Sequence, residues 1–225
     1  EILRCLVGSE MCIRDRLWAI IVGVPLGCLA AFKRGKLTDS ILRVICTLGI
    51  SMPSFVVASV LLVTLTGDGA LNLFPSIFDA SQGIRAYILP CFALGFYPMC
   101  YTARQTRSAM LDSLSQEYIK TARAKGLKNK KIIFKHALRN ALIPVITYLG
   151  PQVAFTLCGG FVVESVFSIP GLGRYFVQSI QNRDYPVIMG TTIFLATFII
   201  LMNLVVDLLY KVADPRISLT TVSYT

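Results

Sequence analysis

Five apolar runs, most of them close in length to the hydrocarbon core of a bilayer, constrain this 225-residue chain more than any other feature. A helix needs about 20 mostly apolar residues to cross that core. The runs are Leu17 to Phe32, which is short, then Ile41 to Thr66, Tyr87 to Ala103, Ile143 to Val166 and Val187 to Tyr210. Hydrophobic residues make up 55% of the chain and charged residues only 15%, with a mean hydropathy of +0.67. Water-soluble domains run at about 45–50% apolar and about 25% charged, so this surplus calls for lipid as solvent. Every backbone N–H and C=O inside lipid must be satisfied within the span, which makes the expected fold all-α and polytopic. Met52-Pro53 falls in the middle of the second run, and the missing N–H of proline predicts a bend there.

Basic residues set the orientation, because Lys and Arg accumulate on the cytoplasmic side. Placing the 33–43 turn, the 104–142 segment and the tail inside puts sixteen of the 22 Lys and Arg there. The opposite loops then hold only Arg85, Arg174 and Arg183, and Arg4, Arg14 and Arg16 remain in the amino-terminal stretch. The topology that follows is a multi-pass membrane protein with the 104–142 loop and the carboxyl terminus in the cytoplasm. Residues 1–16 show no helical period and mix two cysteines with charges, like a translated adapter, and they lack the apolar core of a signal peptide. They are set apart as non-native from a membrane domain at 17–217 and a cytoplasmic tail at 218–225. A chain that enters its short first span from outside is expected to lack an earlier part.

The seven cysteines form no C-x-x-C pair, and five lie in or beside predicted spans, where they read as small packing residues. His136 is the single histidine, with no acidic cluster near it in sequence, so neither a metal nor another cofactor is called for. No G-x-x-x-x-G-K-[ST] loop occurs, so the chain has no such cradle for ATP phosphates. An intramembrane enzyme would need a nucleophile, base or metal constellation, and none is spaced for it.

The 104–142 segment is the longest polar stretch, and it reads as two helices with a break at Gly126. Arg123 and Lys125 fall in the last turn before the glycine, where cations suit the helix dipole, and Leu127 is placed to pack back in a Schellman-type end. Asn129 is a candidate cap for the second helix, along which Ile133, Ala137 and Ala141 form an apolar stripe beside Phe134, Leu138 and Leu142. Three readings compete: a basic loop resting on anionic headgroups, a nucleic-acid surface, for which two aromatic residues are too few, and a helix pair docking into a partner's groove.

Glu117-Tyr118-Ile119-Lys120-Thr121-Ala122-Arg123-Ala124-Lys125-Gly126-Leu127 and His136-Ala137-Leu138-Arg139-Asn140-Ala141-Leu142-Ile143-Pro144 resemble the cytoplasmic coupling loop of ABC-type permeases. The match is to the peptide branch of the binding-protein-dependent family. The broader family pattern is Glu-Ala-Ala, three residues, Gly, nine residues and Ile-x-Leu-Pro. This chain departs from it, with Lys120-Thr121-Ala122 in place of Glu-Ala-Ala and Leu138-Arg139 in place of Leu-Pro. Gly49 to Phe55, Phe161 to Gly173, Asn182-Arg183-Asp184-Tyr185-Pro186 and Asp214-Pro215-Arg216-Ile217 resemble the first of the two permease subunits in that branch, so the likeness runs over 17–217.

The resemblance implies a type I ABC importer permease of the bacterial inner membrane, with five transmembrane helices visible of an expected six. It implies half of a translocation pathway for oligopeptides or dipeptides, coupled to ATPases through residues 112–143. Implied partners are a homologous second permease, two cytoplasmic ABC ATPases and an extracytoplasmic peptide-binding protein, alongside peptide and lipid, and not nucleic acid. The chain itself is then a non-catalytic subunit. Candidate ATPase-coupling residues are Glu117, Thr121, Ala122, Arg123, Ala124, Lys125, Gly126 and Leu127. Met52, Pro53, Glu164 and Asp207 are candidates for the pathway, the two acids because intramembrane charge points to function. Gly23-x-x-x-Gly27 and Gly159-Gly160 read as helix-packing positions. An ATP-independent channel or secondary transporter is the alternative, and paired broken, charged helices in inverted repeats would favour it.

Overall fold

The structure is a computed structural model that describes the backbone of residues 2–66, 73–75, 77–79, 83–128, 131–157 and 160–213. Side chains are described there except at 2–13, 135, 149–151, 153–157, 172, 206–207 and 209–213. The elements are α1 (Ile2–Phe32), α2 (Leu37–Ser51), α3 (Ser54–Leu65), α4 (Arg85–Ser115), α5 (Glu117–Ala124), a π-helical turn (Ile132–Ala137) continuing into α6 (Leu138–Leu157), α7 (Phe161–Val166), α8 (Leu172–Gln181) and α9 (Tyr185–Ala213). Extended pairing among the described residues is limited to one bridge between Thr66 and Phe74.

Stretches of α1, α4 and α9 are long and apolar enough to cross a bilayer, and α2 with α3 forms a fourth, bent by 103°. Proline makes that bend a complete break. Met52 N–H still reaches Leu48 O at 3.1 Å, but Pro53 is extended and has no donor, and the helix restarts from Pro53 O, bonded by Val56 and Val57 N–H. The apolar run at 143–166 is divided between α6 and α7. The run at 17–32 is the second half of α1, which also carries residues 2–16.

The outward faces suit lipid. On α9, Met189, Ile193, Phe194, Ile200, Leu201 and Leu204 are each more than half exposed, whereas Leu195 is buried. In water such a surface would drive association, but hydrocarbon is its matching solvent. Along the seam between α1 and α4 the contacts are made by small residues instead. A methyl group on Gly23 would stand 2.8 Å from Met99 O and one on Gly27 2.5 Å from Ala103 O, so α1 lies with its backbone against α4. Ala19 and Cys100 are fully buried along this seam, beside Cys46 of α2. Toward the other end of α4, Leu89 and Ala93 pack with Val57 and Ala58 of α3 and Val163, Phe167 and Ile169.

One ion pair ties the start of α2 to α4. Arg107 Nε and Nη2 donate to Asp39 Oδ1 and Oδ2 at 2.7 and 2.9 Å, Gly35 N–H donates to Oδ2 at 3.1 Å, and Arg43 Nη2 lies 3.7 Å from Oδ2. Asp39 lies in the first turn of α2 with its side chain buried.

A buried pair is costly to break and cheap to replace as a unit. Arg107→Ala removes two of the hydrogen bonds to the Asp39 carboxylate, leaving it Gly35 N–H and Arg43, and is expected to cost about 1.5–3 kcal/mol. The double change Asp39→Leu with Arg107→Leu should recover most of that in denaturant unfolding in micelles. Equal losses in the single and double variants would show that the two groups do not act together.

Candidate functional site

Helix α5 sits across the end of α4 and turns two different faces to its surroundings. Ile119 is fully buried and Ala122 is 7% exposed, packed with Met110 of α4, Ala31 of α1 and Ile132, Ala137 and Ala141 beyond the break. Glu117, Thr121, Arg123, Ala124 and Lys125 are exposed. The eight residues singled out in the sequence thus separate: Ala122 and Leu127 join the inner cluster, and the others form an outer surface with Gly126 at its end. Lys120 Nζ meets Glu117 Oε1 at 2.7 Å on that surface.

Gly126 ends α5 with φ +71°, in the left-handed region where a Cβ is penalised. Leu127 N–H donates to Ala122 O at 3.3 Å and Gly126 N–H to Arg123 O at 2.9 Å, the two bonds of a Schellman end. Leu127 packs back on the inner cluster, as its position in the sequence predicts. Asn129 lies outside the described residues.

The second half of the loop departs from the expected stripe. Ile132 is 1% exposed and Phe134 is 66% exposed, although sequence periodicity places Phe134 on the apolar face and omits Ile132. The π turn explains this. Its i→i+5 bonds accommodate one extra residue, so Ile132 shares a face with Ala137, Ala141 and Val145, all buried. Ser113 joins the three parts: its Oγ donates to Ala137 O at 3.0 Å and therefore accepts from Tyr118 OH at 2.6 Å. Neither Ser113 nor Ile132 stands out in the sequence, since hydroxyl pairing and a π turn have no periodic signature.

The break between α2 and α3 opens a cavity of about 450 Å³ lined by Met52, Pro53, Leu94, Tyr97 and Gln152, among others. Met52 and Pro53 thus lie at a concave site, while Tyr97 and Gln152 were not singled out; Gln152 is legible only as an amide in an apolar run. Glu164 does not line this cavity. It is 2% exposed, and its Oε2 accepts from Arg174 N–H at 3.2 Å, capping α8. Arg174 Nη1 also donates to Ser168 O at 3.0 Å, so α7 and α8 form a braced corner. The side chain of Asp207 lies outside those described. Gly160 faces Leu94, where a methyl would collide, and Gly159 lies outside the described residues.

The profile of the family described as "Binding-protein-dependent transport system inner membrane component" matches residues 23–219. The chain belongs to this family. The permease is 50% identical over 213 residues to the dipeptide transport system permease protein DppB of Bacillus subtilis (strain 168), covering 95% of this chain and 68% of that one. It is 40% identical to DppB of Escherichia coli (strain K12), covering 92% and 69%. It is 41% identical to the oligopeptide transport system permease protein AppB of Bacillus subtilis (strain 168), covering 88% and 65%. The chain thus spans about two thirds of the length of these relatives. In fold it resembles a chain of the MetNI methionine ABC transporter in an inward-facing conformation, with a TM-score of 0.69 at 16% identity, covering 95% of this chain and 97% of that one. The permease has the all-α fold of an ABC importer membrane subunit.

Two substitutions test the corners. Nothing lies within 4 Å of a Cβ built on Gly126, so Gly126→Val is opposed by backbone strain alone, about 1–2 kcal/mol, whereas Gly126→Asn is expected to be tolerated. Hydrogen exchange should therefore speed up over 117–127 in the valine variant only. At the other corner, a methyl on Gly171 would collide with the Glu164 carboxylate. Gly171→Ala should lower thermal stability, and adding Glu164→Ala should restore part of the loss; failure of that rescue would count against the contact.

Proposed function

We propose that the permease forms half of the membrane pathway of an ATP-driven importer of dipeptides or short oligopeptides. The observation that carries this is the two-faced α5. Its inner face is anchored by Ile119 and Ala122 and its end is set by the Schellman turn, leaving Glu117, Thr121, Arg123, Ala124 and Lys125 free to meet another protein. A short helix held this way behaves as a lever, because a partner that moves its outer face also moves Met110, Ala137 and Ala141 packed beneath it. A channel working without a motor has no use for such a surface.

In this reading two cytoplasmic ATPases grip α5, a second homologous permease completes the pathway, and an extracytoplasmic binding protein delivers cargo. The permease itself is non-catalytic. The concentration of Lys and Arg in residues 33–43 and the 104–142 segment supports placing the end that carries α5 in the cytoplasm. Peptide is the cargo favoured by the names of the relatives above, at up to 50% identity. The cavity at Met52 and Pro53, with Tyr97 and Gln152, offers an aromatic ring and an amide suited to a peptide backbone.

The test pairs the intact permease with its ATPases in membranes. Gly126→Val, or deletion of 115–130, is expected to abolish ATPase co-purification and to reduce labelled dipeptide uptake at least tenfold, with insertion unchanged. Uptake unaffected by either change would overturn the proposal.

A further inference from the structure

Where α1, α2 and α4 meet beside the 33–36 turn, they leave a cavity of about 350 Å³ separate from α5 and from the helix break. Its lining combines three arginines, Arg43 of α2 and Arg104 and Arg107 of α4, with an apolar wall from Leu26 and Ala30 of α1 and Leu42 of α2. No carboxylate lines it. Asp39, bonded to Arg107 and 3.7 Å from Arg43, sets one negative charge against three positive ones. The Arg104 guanidinium stands over the Tyr101 ring at 5.6 Å, and Arg104 is exposed. Lys33, Arg34 and Lys36 add exposed positive charge in the turn preceding α2.

We propose that this cavity holds the phosphate of an anionic phospholipid, of the phosphatidylglycerol or cardiolipin class, with acyl chain against Leu26, Ala30 and Leu42. Guanidinium groups match phosphate oxygens bidentately and are more weakly hydrated than ammonium groups, so arginine favours the partly buried pairing that such a pocket offers. A basic pocket between spans at the cytoplasmic surface is also where anionic headgroups are most concentrated. The apolar wall separates this site from a simple anion pocket, since inorganic phosphate gains nothing from Leu26 or Leu42. Arg107 is bonded to both Asp39 oxygens whereas Arg43 only approaches one at 3.7 Å, which makes Arg43 and Arg104 the residues that discriminate. The proposal rests on the cytoplasmic orientation of this end given under Proposed function.

The experiment uses the intact permease in its assembled complex, placed in phosphatidylcholine nanodiscs and titrated with phosphatidylglycerol under native mass spectrometry. Phosphatidylglycerol is expected to be retained at least tenfold over phosphatidylcholine. The retention should be lost in Arg43→Ala with Arg104→Ala and kept when both are changed to Lys, which shows that the loss is not one of folding. Equal retention of the two lipids, no retained lipid because another protein segment fills the cavity, or displacement by millimolar inorganic phosphate would each overturn it. Dipeptide uptake is measured on the same variants reconstituted in sealed proteoliposomes. In the unsubstituted permease, absence of lipid selectivity with normal uptake sinks this inference alone, and selective lipid with no coupled uptake sinks the importer reading alone.

Discussion

Gly23 and Gly27 let α1 lie with its backbone against the carbonyl oxygens of Met99 and Ala103, and that contact decides where the remaining helices attach. In hydrocarbon there is no water to squeeze out from between two helices, so close approach and dispersion take over the work that apolar burial does in a soluble core. α4 is long enough to serve as a common post. It meets α3 and α7 near one end through Leu89 and Ala93, α1 and α2 along its middle, and α5 with the π turn at the other through Met110 and Ser113. The Asp39–Arg107 pair adds a polar fastening where α2 leaves the surface. Its value is positional, since a buried ion pair barely repays its desolvation but fixes which turn of α2 faces which turn of α4.

Around this post the chain changes direction at defined corners. Three helices end with the same pair of backbone bonds and a left-handed residue: Gly126 after α5, Ser168 after α7 and Arg183 after α8. Only the first is a glycine. Ser168 and Arg183 hold φ of 56° and 57° at some cost, and each is held by contacts around it. Arg174 donates to the Ser168 carbonyl, and Asp184 Oδ1 accepts from Val187 N–H at 3.4 Å just past Arg183. Corners defined this tightly suit a protein that transmits motion, because helices joined by slack turns would absorb a displacement instead of passing it on.

Much of this was legible in the residues. The apolar runs, the break at Pro53, the packing role of Gly23 and Gly27 and the Schellman end at Gly126 all follow from short-range rules about length, a missing donor, a missing Cβ and a left-handed turn, whereas the division of the 143–166 run between two helices does not. Asp39 was legible as an anomaly, the sole acidic residue between Leu17 and Thr66, but its partner was not, since Arg107 is 68 residues away. The stripe after Gly126 was misread for a definite reason. A 3.6-residue period assumes an unbroken α-helix, and one π turn changes how the residues within it line up with Ala137 and Ala141, bringing Ile132 in and leaving Phe134 out. Glu164 drew attention as an intramembrane acid, and the fold gives it the work of capping α8.

Sequence alone therefore determined the solvent of this protein, the number and approximate limits of its apolar runs, the side expected to face the cytoplasm and the family to which it belongs. These depend on composition and on neighbours within a few residues, where backbone geometry is nearly independent of the rest of the chain. Tertiary structure decided which face of α5 is buried and which is exposed, which residues line the cavity at Met52 and Pro53, and that Arg43, Arg104 and Arg107 gather around one pocket. Each of those outcomes depends on the distance and rotation between helices far apart in sequence. Those quantities are set by small-residue contacts and single polar pairs whose partners no local pattern announces.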